Sequence, residues 1–117
     1  MLSFGVKPIY LYCGHTDMRK SINGLALLVK GSFKMDPCSE AIFVFCNRAR
    51  DRIKILEWDT DGFWVYFKRL EHGRFRWPKD DTENTMTLTD DEFACLINSA
   101  KLEKKLTRKE LPQRFVS

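Results

Sequence analysis

Residues 42–78 read IFVFCNRARDRIKILEWDTDGFWVYFKRLEHGRFRWP, and this stretch decides the fold. It holds nine of the chain's fifteen aromatic residues: Phe43, Phe45, Trp58, Phe63, Trp64, Tyr66, Phe67, Phe75 and Trp77. With Lys79 included, it also carries nine of the twenty Lys and Arg residues. Apolar runs, turns and basic residues alternate through it. That pattern predicts a small β-meander whose rings build the core on one face while its arginines face water on the other.

Ile42–Cys46 is wholly apolar, as suits a strand covered on both faces. Ile53–Trp58 and Phe63–Leu70 flank Asp59-Thr60-Asp61-Gly62, a hairpin signal. Gly62 is the residue that takes positive φ most cheaply there. The loop is either Asp61-Gly62 alone or three residues with Thr60. Glu71-His72-Gly73 is a second turn. Beyond it Arg74-Phe75-Arg76-Trp77 alternates as a strand that Pro78 ends.

Outward from the meander, Ile9–Cys13 reads as a strand bounded by Gly14. Residues 17–34 then read as an amphipathic helix. Thr16 or Asp17 caps it, Met18, Ile22, Leu25, Leu28 and Val29 share one face, and Gly31 is a plausible stop. On the far side, residues 79–86 are polar and loop-like. Thr89 and Glu92 form a capping box for a shorter helix with Phe93, Leu96 and Ile97 on its apolar face. The fold class is therefore α+β: a small, mainly antiparallel sheet with an N-terminal amphipathic helix packed on it and a shorter C-terminal helix. Residues 1–100 are expected to form a single α+β domain. Residues 101–117 are a basic helical extension or flexible tail.

At 117 residues the chain is long enough for one core, burying roughly 65% of the surface its unfolded form exposes. No apolar run approaches the ~20 residues of a membrane span, and the N-terminus lacks a secretory pattern. A cytoplasmic, soluble protein is the expectation, with no membrane partner. Net charge is +4, mildly basic and compatible with nucleic acid. Residues 80–100 carry six acidic and no basic residues, which separates two basic segments.

Cys13, Cys38, Cys46 and Cys95 form no C-x-x-C pair, and His15 and His72 complete no zinc pattern. Reduced, mostly buried thiols and no metal or cofactor are expected. Asp59 and Asp61 are explained by turn chemistry, and Asp90, Asp91 and Glu92 by the start of a helix. No catalytic residue is assigned, because no nucleophile has an oriented base and no metal ligands cluster.

The candidates for binding are cations. Arg48, Arg50 and Arg52 lie within one short segment. They are either a solvated loop with an Arg–Asp51 pair or a set of phosphate contacts, which the planar guanidinium fork suits. Lys54, Arg74 and Arg76 join them as chief candidates, with Arg19, Lys20, Lys68 and Arg69 behind. Arg19 and Lys20 fall in the first turn of the predicted helix, as solvated side chains or beside a phosphate.

Four blocks of residues carry a family resemblance. They are Gly14-x-Thr16-Asp17-Met18-Arg19-Lys20-Ser21-Ile22-Asn23-Gly24-Leu25, Phe43-Val44-Phe45-x-Asn47-Arg48, the run from Asp51 to Phe63 through Trp58 and Asp61-Gly62, and Lys68-Arg69-Leu70-Glu71-x-Gly73-Arg74-Phe75-x-Trp77-Pro78. In this order and spacing, over about residues 4–98, the chain resembles the TnpB-type accessory protein of the IS66 family of bacterial insertion sequences. This is the small second-reading-frame product, distinct from the RNA-guided nuclease of the same name. The resemblance implies a part in transposition beside a separate, larger transposase, with no catalytic residues to carry over. Cys46 departs from the pattern, where arginine or another polar residue is common. The expected role is a non-catalytic accessory factor whose basic sheet surface contacts DNA. The alternative is an adaptor that docks on the transposase and touches no DNA.

Overall fold

The computed structural model describes residues 6–78 and 84–98. Five strands form one sheet in the order β4-β3-β2-β1-β5. They are β1 Ile9–His15, β2 Ile42–Cys46, β3 Arg52–Asp59, β4 Gly62–Arg69 and β5 Thr85–Leu88. Two helices, α1 Ile22–Leu28 and α2 Asp90–Ile97, complete the architecture. The β2-β3-β4 meander is antiparallel throughout, β1 and β2 run parallel, and β5 is antiparallel to β1. The sheet is thus mainly antiparallel, as expected. The first helix is not N-terminal to it: α1 follows β1 and lies in the crossover to β2.

β2 is the central strand, and all five of its side chains are fully buried. Successive residues point to opposite faces, so β2 divides the core in two. Val44 and Cys46 join Ile9, Leu11, Ile53, Ile55, Phe93 and Leu96 on the side covered by α2. Phe43 and Phe45 join Leu25, Val29, Phe33 and Leu56 on the side covered by α1. The meander therefore does not hide rings on one face and show arginines on the other. Both faces are covered at the middle of the sheet, and its cations gather toward one end of β3 and β4 and in the loops.

The first helix is shorter than residues 17–34. The Asp17 carboxylate accepts from the Arg19 backbone N–H at 2.9 Å, and the Lys20 N–H donates to the Asp17 carbonyl at 3.1 Å. A local turn of this kind competes with a helix start. The helix begins after Ser21, whose side chain makes no capping bond, so Arg19 and Lys20 precede it. Leu25 and Val29 are buried, whereas Ile22 is 38% exposed. A π-helical turn, Val29–Phe33, then brings both of its end residues into the core. Gly31 lies within that turn, and the left-handed residue that ends it is Lys34, with φ 57°.

The hairpin forms where expected, but its two-residue loop is neither of the two loops read from the sequence. Asp59 pairs with Gly62, leaving Thr60 and Asp61 between the strands. The residue with positive φ is Thr60, at 52°, and not Gly62. Residues 74–78 are not a strand: they pair with neither edge strand, β4 nor β5. They form a strap across the α2 side. The Phe75 N–H donates to the Arg50 carbonyl at 2.6 Å, and Trp77 Nε1 donates to the Tyr12 carbonyl at 3.0 Å. Phe75 and Trp77 pack into the same cluster.

β5 falls in what reads as a loop and the approach to a helix. Its Leu88 and Met86 register against Ile9 and Leu11 and reach the core. The capping box of α2 is present as read from the sequence. The Glu92 N–H donates to Thr89 Oγ1 at 3.1 Å, and the Thr89 N–H donates to Glu92 Oε1 at 2.9 Å. Of the cysteines, Cys13 and Cys46 are buried, Cys95 is half-buried and Cys38 is exposed. Residues 101–117, read from sequence as a tail or helical extension, lie outside the described residues.

Candidate nucleic-acid interface

Strand register places the cations. Counting alternately from Leu56, which packs under α1, Lys54 and Arg52 point to the α1 side of β3. Their cross-strand partners on β4 are Phe67 and Arg69, so all four share that face. Arg52 directly opposite Arg69 is a like-charge pair, which is unfavourable in a sheet. Each carries its own carboxylate: Arg52 lies 3.2 Å from Asp51, and Arg69 lies 2.7 Å from Glu71. Lys54 Nζ donates to the Lys20 carbonyl at 2.9 Å, which ties the turn before α1 to this part of the sheet.

The β2–β3 loop supplies Arg48. Asn47 organises that loop: its Oδ1 accepts from the Asp51 and Arg52 N–H groups, and its Nδ2 donates to Asp51 at 2.7 Å. The Asn47 hydrogen bond, aided by the Arg52 charge, holds the Asp51 carboxyl below its ordinary range. Facing this loop is the turn after β1, where the Arg19 guanidinium donates to Asp17 at 2.7 Å. That pairing lowers the Asp17 pKa well below the carboxylate range and raises that of Arg19. Between the two loops lies an open cleft of about 540 Å³, lined by His15, Thr16, Asp17, Arg48 and Arg52 among others.

Arg52, Lys54 and Arg69 thus share one face, Arg48 lines the same cleft as Arg52, and the turn that carries Arg19 and Lys20 is tied beside them through Asp17 and the Lys20 carbonyl. The other four do not join them. Arg50 is half-buried, donates to the Cys13 carbonyl at 3.4 Å and sits over the Trp77 ring. Lys68 faces the α2 side, where its Nζ donates to the Ile97 carbonyl at 2.7 Å. Arg74 is exposed and Arg76 half-buried on the strap. Cys46 is buried, and its thiol is pushed up to about 11, chiefly by burial.

Sequence reasoning passed over two residues of this surface. Asn47 was legible as a side chain able to satisfy local backbone groups between a strand and an arginine run. Phe67 is 53% exposed beside Lys54, and its position inside a continuous aromatic run hid that exposure.

A protein-family model described as IS66 Orf2 like protein matches residues 7–107. The chain belongs to this IS66 Orf2-like family. The match reaches past residue 98 into the basic C-terminal segment, further than the quoted motifs extend. Two curated relatives come from Sinorhizobium fredii. The uncharacterized protein y4hO is 39% identical over 70 residues, which cover 60% of this chain and 61% of its own length. The uncharacterized protein y4jC is 33% identical over 81 residues, covering 69% of this chain and 68% of its own length. The chain thus matches about three-fifths of the length of y4hO. No solved structure matches it. Membership ties this IS66 Orf2-like chain to an insertion sequence. No helix among the described residues is long and apolar enough to cross a membrane.

Proposed function

We propose that this protein is a non-catalytic, cytoplasmic accessory factor for transposition that grips DNA phosphates through the α1-side cations. The observation that carries this reading is the gathering of Arg48, Arg52, Lys54 and Arg69 beside the turn that carries Arg19 and Lys20. Guanidinium and ammonium groups in such a set suit phosphate oxygens without reading base sequence. Contacts of this kind carry no base readout, so affinity would be largely electrostatic.

A second reading rests on a different observation. Arg19, Arg52 and Arg69 already have carboxylate partners, and the edge strand β4 leaves Trp64 and Phe67 about half exposed. Those features suit an adaptor that docks on the transposase of the same element. Binding to duplex DNA across a salt series separates the two. Micromolar affinity that falls steeply as salt rises supports phosphate contact. No binding at low salt, with the transposase still captured, supports the adaptor.

A further inference from the structure

The cleft between the β1–α1 turn and the β2–β3 loop contains a polar group that the rest of the fold does not use. Thr16 is 3% exposed, and its Oγ1 is buried with no hydrogen-bond partner. Leaving such a hydroxyl unsatisfied carries a desolvation cost, and an orphan of this kind calls for a reason. Its backbone is committed: the Thr16 N–H donates to the Cys46 carbonyl at 2.8 Å. That bond fixes Thr16 where the parallel strands β1 and β2 end and their loops diverge, a position at which adjacent parallel strands commonly open a binding crevice.

The charges around it favour an anion. Arg48 is exposed and has no partner among the described residues. Arg52 lines the same cleft. The two nearby carboxylates are engaged, Asp17 by Arg19 and Asp51 by Asn47 and Arg52.

We propose that this cleft seats a single phosphoryl oxyanion, with the Thr16 hydroxyl as a neutral donor and Arg48 and Arg52 as the cationic contacts. The inference deepens the DNA-binding reading and rests on it for the source of the phosphate. Thr16 lines the cleft, so its unpartnered hydroxyl is the neutral donor at hand there. The open volume admits a phosphodiester with its flanking sugars as well as free phosphate, and the two sources share the same contacts. One phosphate is thereby set at a fixed place on the protein, while the remaining cations follow the backbone without a fixed register.

The test is a titration of the isotope-labelled full chain with inorganic phosphate, followed by NMR, then repeated with a short DNA duplex. Saturable shifts confined to Thr16, Asn47, Arg48 and Arg52 are expected. Thr16→Val should weaken phosphate about tenfold, the loss of one charge-assisted hydrogen bond, with its melting temperature held or raised. Thr16→Ser should restore binding. Shifts spread evenly over the basic residues, equal phosphate binding by wild type and Thr16→Val, or a sharp fall in melting temperature for Thr16→Val would each overturn the seat. Saturable phosphate binding at Thr16 with no duplex binding supports the seat and removes the DNA reading. Duplex binding equal in wild type and Thr16→Val removes the seat and leaves the DNA reading standing.

Discussion

The Arg50 guanidinium carbon lies 5.7 Å from the centroid of the Trp77 ring, which makes this arginine a strut between the β2–β3 loop and the strap. Its carbonyl also accepts the Phe75 N–H, so both ends of the residue hold residues 74–78 against the sheet. Arg50 does this with φ at 62°, a left-handed conformation that costs a non-glycine residue about 1–2 kcal/mol. Arg50→Ala keeps that strain and loses the ring contact, and should lower stability by about 1–2 kcal/mol. Arg50→Gly relieves the strain and should recover about 1 kcal/mol of that loss. Urea unfolding of the two variants gives the comparison; equal stability in both would show that the left-handed backbone carries no strain.

Arg48, on the same loop, should behave in the opposite way. It is exposed and makes no contact that packing depends on, so Arg48→Ala should leave stability within about 0.5 kcal/mol. If the α1 side is the DNA surface, Arg48→Ala, Arg52→Ala and Lys54→Ala should each reduce the slope of log affinity against log salt by about 1. Lys68→Ala and Arg74→Ala, away from that surface, should leave the slope unchanged. A fluorescence-anisotropy salt series on these five variants measures it, and equal losses for both sets would dissolve the distinction between the faces.

How much of this was visible beforehand depends on the range of the interaction. The Asp59–Gly62 hairpin and the Thr89–Glu92 box are local, and their residues announce them. β2 was legible because five consecutive apolar residues leave no polar face. β5 was not, since Thr85–Leu88 is short and polar and becomes a strand only by pairing with β1, some 75 residues away. The strap at 74–78 shows the converse: its alternation is a strand pattern, but its Phe75 N–H goes to the Arg50 carbonyl and its Trp77 indole to Tyr12, not to a sheet edge. Within the candidate site, Arg48 and Arg52 could be read from spacing. The separate use of Arg50 could not, because it depends on a left-handed backbone and on Trp77 folding back from a distant segment.

The capping box offers a test of how far α2 supports the sheet. Phe93 and Leu96, both buried, are held on α2, and Thr89 Oγ1 satisfies one of the N–H groups that a helix start leaves open. Thr89→Ala should cost about 1 kcal/mol and lower the melting temperature by about 4–8 °C. Thr89→Ser and Thr89→Asp should cost little, since both keep an accepting oxygen. Calorimetry on the three variants distinguishes the cap from a simple loss of side-chain volume.

The alkaline limb of stability should report the buried pair at the other end of the sheet. Lys7 Nζ lies 3.1 Å from Glu57 Oε2 and donates to the Trp58 carbonyl at 2.7 Å. Glu57 is fully buried and accepts from the Tyr66 hydroxyl at 3.4 Å. Burial opposes the charge on Lys7, but the Glu57 hydrogen bond and charge outweigh it, so the Lys7 pKa is raised above its usual 10.5. Burial and the Glu57 charge push Tyr66 up to about 12, from 10.0. Both groups hold their protons more tightly when folded. Their contribution is therefore complete below pH 10 and is lost as pH rises through the folded values. Cys46, raised from 9.0 to about 11, adds to the same loss from pH 9 upward. Melting temperature should fall between pH 9 and 12, less steeply in Tyr66→Phe and in Cys46→Ala. At pH 7, Lys7→Met or Glu57→Met alone strands a buried charge and should cost about 3–5 kcal/mol. The double variant, with no charge left to strand, should cost less than either single change. A double-mutant cycle by urea unfolding measures this, and strictly additive losses would mean that the two side chains do not act as a pair.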